Sequence, residues 1–262
     1  MSDVDPGAPG PWQQATVLAV RDETARARTF RLRLARRAAA GTHLPGQHYV
    51  VRLTAPDGYR AQRSYSVASA PDGSDEVELT VERLEDGEVS TFLHDVVEVG
   101  DHLEVRGPIG GWFVWRGDTP ALLVGGGSGI VPLMAMLRHA RRTDLARPVR
   151  LLVSVRAPED LYYPAELPGP ETTIVHTRRG PAGAARAPHR LDADDLRPLV
   201  TDLGADAPES VDSADSGGPA AATAVTAYVC GSAGFADAAS QVLVELGVPA
   251  SRIRVERFGP SG

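Results

Sequence analysis

The chain has 262 residues, 42% of them hydrophobic and 23% charged, and its 27 basic and 34 acidic side chains give a formal charge of -7. That length suits one large or two modest domains, and the acidic balance points away from a nucleic-acid partner. A single cysteine, Cys230, excludes an internal disulfide and a cysteine-ligated zinc or iron–sulfur site, while the absence of lysine excludes Schiff-base chemistry and a lysine-bearing phosphate loop.

Residues 1–11 are acidic and rich in Pro and Gly, and are expected to form a disordered tail and not a signal peptide. No run approaches the roughly 18 apolar residues of a membrane span, so a cytoplasmic protein with no membrane partner is expected. From Trp12 the pattern has period two. It predicts six strands, at Gln14–Val20, Arg28–Leu34, Gln47–Leu53, Arg63–Ala68, Glu76–Glu82 and His102–Arg106. Turn signals at Pro45-Gly46, Pro56-Asp57-Gly58 and Pro71-Asp72-Gly73 separate them, which reads as a small antiparallel barrel.

Within the fourth strand, alternation puts Arg63, Tyr65 and Val67 on one face and Ser64 and Ser66 on the other. A guanidinium fork, a flat ring and a hydroxyl suit a planar polar ring system with a phosphorylated tail; an ordinary sheet surface is the alternative. After Gly87 comes a short helix running through Phe92–Val96, with Ser90 or Thr91 as its expected N-cap. Its start could receive a phosphate, or could be a plain capped helix.

The pattern changes after Gly107–Phe113. Ala121–Val124 is continuously apolar, as expected of a strand buried on both faces, and a helix over Ile130–Arg142 follows it. Strand and helix candidates then alternate, at Val149–Val155, Glu159–Leu167, Thr172–Thr177, Asp192–Leu199, Val225–Val229, Ala233–Leu246 and Ile253–Glu256. This predicts a five-stranded parallel sheet with flanking helices, and so a two-domain β plus α/β chain. The barrel domain would cover 12–115 and the α/β domain 119–262. Residues 204–223, acidic and poor in large apolar side chains, are expected to be a mobile insertion.

Leu123-Val124-Gly125-Gly126-Gly127-Ser128-Gly129-Ile130-Val131-Pro132 runs from the buried strand through glycines into a helix, which lets a backbone approach a pyrophosphate. With Ile130 in the last position it departs from the GxGxxG dinucleotide pattern, and a ligand-free glycine turn is the alternative reading.

Arg63-Ser64-Tyr65-Ser66, Gly107-Pro108-Ile109-Gly110, the Gly125–Pro132 loop and Cys230-Gly231-Ser232 together, in this order over about Trp12 to Phe258, resemble the ferredoxin–NADP reductase family. The resemblance implies a flavin-binding Greek-key barrel followed by an NAD(P)-binding domain, with hydride passing between FAD and the nicotinamide. It places Arg63 on the flavin phosphate, Tyr65 stacked on the isoalloxazine and Ser66 by the hydride-accepting nitrogen. Backbone of Val81, Glu82 and Arg83 would touch the flavin, and Gly87, Val89, Ser90 and Thr91 match a pyrophosphate turn that favours FAD over FMN.

On the nucleotide side, Gly126, Gly127, Ser128 and Gly129 would approach the pyrophosphate of NADPH, while Ser154 and Arg156 would face its ribose or phosphates. Cys230 and Gly231 would lie beside the nicotinamide, although a buried cysteine is ordinarily a small hydrophobe. Glu256 would be a polar or proton partner near the flavin. Phe258 would cover the flavin or simply pack, since the plant-type members end on their aromatic residue and this chain continues with Gly259-Pro260-Ser261-Gly262. Thr177, Arg178 and Arg179 match the position that holds the 2′-phosphate in relatives that use NADP, which favours NADPH with NADH possible. The expected acceptor is external, a ferredoxin or similar carrier. The alternatives are an NADH-dependent reductase component of an oxygenase, a reductase of free flavin or ferric chelates, and a non-catalytic flavin-binding subunit.

Overall fold

The computed structural model describes residues 10–35, 43–143, 148–205 and 225–259. Six strands come first: β1 (Gln13–Thr24), β2 (Ala27–Leu34), β3 (His48–Thr54), β4 (Arg60–Ser66), β5 (Glu76–Glu82) and β6 (His102–Ile109). They form one antiparallel sheet in the order β4-β3-β6-β1-β2-β5. Its two edges come together through a single antiparallel bridge, Val67 to Leu79, which closes the Greek-key barrel. Period-two patterning sets the inside: in β2, Phe30, Leu32 and Leu34 are buried while Arg31 and Arg33 face solvent. Helix α1 (Glu88–Asp95) turns Val89 and Leu93 into this core.

The second sheet contains β7 (Ala121–Gly126), β8 (Val149–Val155), β9 (Thr172–His176), β10 (Thr226–Ser232) and β11 (Ile253–Phe258), all parallel, in the order β11-β10-β7-β8-β9. Helices α2 (Ile130–Thr143), α3 (Ala193–Ala205) and α4 (Ala233–Glu245) accompany it. Central β7 is buried on both faces: Leu122 and Val124 join a cluster with Leu196 and Leu203 of α3 and Ala239 and Leu243 of α4, and Leu123 is fully buried outside that cluster. The described residues form two compact units, one made of the chain up to Trp115 together with Met134–His139, the other of the remainder.

Three expectations are corrected. Glu159–Leu167 is not a helix; only Pro158–Asp160 makes a 3-10 turn. Pro164 is the reason, because it disfavours helical backbone at the preceding residue, and Tyr163 takes φ 55 instead. Helix α1 begins at Glu88 with Gly87 as its N-cap, ahead of Ser90 and Thr91. Gly204 and Ala205 end α3 and do not open a loop, and the rest of the expected acidic insertion lies outside the described residues. The same holds for the expected tail apart from Gly10, whose carbonyl accepts from Arg106 Nε at 2.9 Å, and Pro11.

Candidate FAD and NAD(P) sites

In the first unit, register pairs Arg63 with Val51 and Tyr65 with Tyr49, and both β3 partners are buried, so Arg63 and Tyr65 leave β4 on its core side. Because β4 is an edge strand, they reach past the barrel core. Tyr65 is half-buried against that core, and burial raises its phenol pKa against the opposing pull of the Arg63 charge. The exposed Arg63 guanidinium donates to the Gln62 carbonyl at 2.8 Å and has no carboxylate partner among the described residues. Ser66 is buried, opposite His48 on the other face.

Helix α1 opens beside this strand without a side-chain cap. The Ser90 hydroxyl donates to the Gly87 carbonyl at 3.1 Å and accepts from the Leu84 N–H at 3.2 Å. Thr91 Oγ1 donates to the Leu84 carbonyl at 3.2 Å. Both hydroxyls therefore brace the 84–87 turn, and the N–H groups of Glu88, Val89 and Ser90 are left for an anion. Backbone at Val81, Glu82 and Arg83 is mostly engaged. Val81 and Glu82 pair with β2, the Val81 carbonyl accepts from His94 Nε2 at 2.9 Å, and the Arg83 N–H donates to the Arg26 carbonyl at 2.7 Å.

In the second unit the site residues collect at the carboxyl ends of the strands, where open parallel sheets bind ligands. β7 extends through Gly125 and Gly126, and Gly127–Gly129 make a 3-10 turn into α2 with no side-chain cap. The glycines have different reasons for being glycine. A Cβ on Gly129 would stand 2.1 Å from the Cys230 carbonyl oxygen, and one on Gly126 would stand 2.7 Å from the Phe235 ring. Gly231 meets the same ring at 2.6 Å. Gly127 has φ +55 with nothing within 4 Å of its absent Cβ, so its conformation requires glycine and its open side can admit a phosphate. Ser128 follows it, half-buried, in the middle of the turn.

Strand register sets Gly125, Cys230 and Glu256 in one row across β7, β10 and β11. The Cys230 thiol is fully buried, and burial, helped by the Glu256 charge, pushes its pKa up, so it is not a thiolate nucleophile near neutral pH. Burial also raises the Glu256 carboxyl from 4.5 to about 7, and its Oε2 is buried with no hydrogen-bond partner among the described residues. Phe258, half-buried, pairs in register with Ser232.

Ser154 is buried between Gly126 and Val175. One strand end away, the Arg156 carbonyl accepts from the Arg178 N–H at 2.9 Å and the Arg179 N–H at 3.0 Å, and the Thr177 N–H donates to the Val155 carbonyl at 2.8 Å. The turn after β9 is thus tied to the end of β8. Arg156 and Arg178 have no carboxylate partner among the described residues, whereas Arg179 pairs with Glu159. No local pattern signals Glu159, which lies in the segment expected to be helical, or Phe235 of α4, whose ring meets glycines of two strands, β7 and β10. His189, Asp192 and Asp195 also lie close together, but Arg186 holds both Asp195 oxygens at 2.6 and 2.7 Å and Asp192 caps α3.

Family models match both halves: an oxidoreductase FAD-binding domain over residues 14–114 and an oxidoreductase NAD-binding domain over residues 123–241. The chain belongs to the ferredoxin–NADP reductase family. It is an FAD-containing, NAD(P)H-dependent oxidoreductase, and the residues present fit both groups: a guanidinium without a carboxylate partner among the described residues, a half-buried ring and an uncapped helix start for FAD, and a second uncapped start with two such arginines for the nucleotide.

Among its relatives, the chain is 29% identical over 258 residues to the ferredoxin–NAD(P)+ reductase component of naphthalene 1,2-dioxygenase/salicylate 5-hydroxylase systems from Ralstonia sp, covering 95% of this chain and 70% of that one. It is 30% identical to a flavohemoprotein of Deinococcus radiodurans, over 100% of this chain but 63% of that protein. The fold matches the FAD/NAD-binding domain of a Vibrio cholerae nitric oxide dioxygenase with TM-score 0.71 and 23% identity, over 95% of this chain and 99% of that domain. No helix among the described residues is long and apolar enough to cross a membrane.

Proposed function

We propose that this reductase takes electrons from NADPH and delivers them to a separate redox carrier such as a ferredoxin. Bound FAD supplies the chemistry that accepts hydride from the nicotinamide and returns electrons singly to the carrier. The chain's own residues hold and orient. Arg63 and the open N–H groups of α1 take the flavin's phosphates, Tyr65 supports its ring, and Ser66 lies next to Tyr65 on the strand. Gly127, Ser128 and the N–H groups of the 127–129 turn take the nucleotide pyrophosphate. Fully buried Cys230 and half-buried Glu256, both uncharged below about pH 7, give the nicotinamide an uncharged wall that holds the thiol and carboxyl protons.

The observation that carries this reading is that each unit presents an uncapped helix start together with an arginine that no carboxylate among the described residues holds, as suits the binding of two phosphate-bearing cofactors. The Ralstonia relative supports an external carrier, because its name makes it the reductase component of oxygenase systems. We place the enzyme in the cytoplasm, where metabolism supplies NADPH and NADH.

Anaerobic titration of the flavin-loaded protein with NADPH and with NADH, followed in the flavin absorbance bands, tests the reading. Much faster bleaching by NADPH is expected, and no bleaching by either nucleotide would leave only a flavin-binding subunit. A second reading, an NADH-dependent oxygenase reductase, is favoured by one observation: Arg179 is already held by Glu159. Equal or faster bleaching by NADH would select it.

A further inference from the structure

We propose that Glu159 competes with the nucleotide's 2′-phosphate for Arg179, so that the Glu159–Arg179 ion pair tunes how strongly the enzyme prefers NADPH over NADH. The proposal rests on the nucleotide reading above, and it concerns a residue to which neither the motifs nor the family resemblance assigns a role.

The geometry brings the two side chains together by a backbone device. Because the Arg156 carbonyl accepts the N–H groups of both Arg178 and Arg179, at 2.9 and 3.0 Å, the turn after β9 cannot drift from the end of β8. The 3-10 turn that carries Glu159 lies just beyond Arg156, and it is braced by Asp160, whose Oδ2 accepts from the Ala157 N–H at 3.1 Å. Of the two acidic residues in that turn, Asp160 is therefore held by the backbone, and Glu159 is the one that reaches Arg179.

The pair is weak in the way a competitor must be. Its side chains are 66% and 60% exposed, and an exposed ion pair is screened by water and costs little to open. A phosphate dianion offers the guanidinium a bidentate partner with more charge than one carboxylate, so it can displace Glu159. The displaced carboxylate remains nearby and repels the incoming dianion. Arg156 and Arg178, which have no carboxylate partner among the described residues, give the phosphate further cationic contacts. The 2′-hydroxyl of NADH carries no charge, so NADH neither gains from Arg179 nor suffers from Glu159. The carboxylate thus penalises NADPH alone.

The test is calorimetric titration of the flavin-loaded protein with adenosine 2′,5′-bisphosphate and, as the control lacking the 2′-phosphate, with 5′-AMP. Wild type is expected to bind the bisphosphate more tightly than 5′-AMP, and Arg178→Ala and Arg179→Ala are expected to reduce that difference. Glu159→Gln, an exposed and nearly isosteric change, should tighten the bisphosphate by about two- to five-fold, the factor of an exposed ion pair, and leave 5′-AMP unchanged. The ratio of KM for NADPH to KM for NADH should fall by the same factor. If the arginine variants lose affinity but Glu159→Gln leaves the bisphosphate unchanged, competition is wrong and the phosphate site stands. Weaker 5′-AMP binding by Glu159→Gln would also overturn it, assigning the carboxylate to the ribose hydroxyls. If wild type does not distinguish the two ligands, the NADPH reading itself falls and the proposal with it.

Discussion

Burial lifts the Glu256 carboxyl from 4.5 to about 7, and the consequence for stability follows from which state holds the proton. The folded pKa lies above the unfolded one, so the contribution is fully present below about pH 4.5 and is lost as pH rises through about 7. Glu256→Gln keeps the shape and removes the titration. In urea unfolding of the apoprotein, wild type should lose roughly 2–3 kcal/mol relative to that variant between pH 4.5 and pH 8. Parallel pH profiles for the two proteins would mean that the carboxyl is solvated. Arg63 poses the opposite problem, a charge with no carboxylate to balance it among the described residues. A charge-assisted contact to a phosphate contributes about 1.5–3 kcal/mol, so Arg63→Ala should raise the FAD dissociation constant by about 10- to 100-fold. Fluorescence titration of the apoprotein with FAD reads this directly, and an unchanged constant would remove Arg63 from the flavin site.

Glycines in the loop between β7 and α2 look equivalent in sequence but act through different elements. Gly129 admits the Cys230 carbonyl at the end of β10, since a Cβ there would sit 2.1 Å from that oxygen. Gly129→Ala should therefore cost about 1–3 kcal/mol of stability by overpacking, seen as a lower urea midpoint with or without nucleotide. Gly127→Ala meets no atom within 4 Å but must hold φ +55, so its penalty is backbone strain of about 1 kcal/mol or more, together with weaker nucleotide binding. Equal effects of the two substitutions on stability and on binding would refute this division.

The same contrast shows what was legible in the chain. Strands such as β2 were readable because alternation is a local property, and β7 because a continuous apolar run demands burial on both faces. Within Glu159–Leu167, Tyr163 and Leu167 are buried four residues apart, as on one face of a helix, but Pro164 bars the helical backbone that this spacing suggests. The N-terminal shift of α1 arose because Ser90 and Thr91 are good caps in isolation, yet their hydroxyls are engaged by Leu84 and Gly87. Glu159 with Arg179, and Phe235 with Gly126 and Gly231, are contacts between residues distant in sequence or on different elements, which no local pattern encodes.

At the scale of the whole molecule, each unit has its own hydrophobic core, one built around Phe30, Tyr49 and Leu79 and the other around Leu122, Val229 and Leu243. A ligand that binds only the folded form stabilises what it binds, by about 2.7 kcal/mol at 100 times its dissociation constant. The phosphate-binding features assigned to FAD all lie in the first unit, and those assigned to the nucleotide all lie in the second. Local opening governs amide exchange, so the two ligands should leave separable footprints. In hydrogen-exchange mass spectrometry of the apoprotein, FAD should slow exchange in peptides spanning 60–66 and 87–93. Adenosine 2′,5′-bisphosphate should instead slow exchange in peptides spanning 125–131 and 154–160 and the turn at 177–180. Protection by FAD confined to the second set would show that the barrel strand β4 and helix α1 do not hold the flavin. Protection by the bisphosphate at 125–131 without any at 177–180 would keep the pyrophosphate loop and remove the arginine turn from the site.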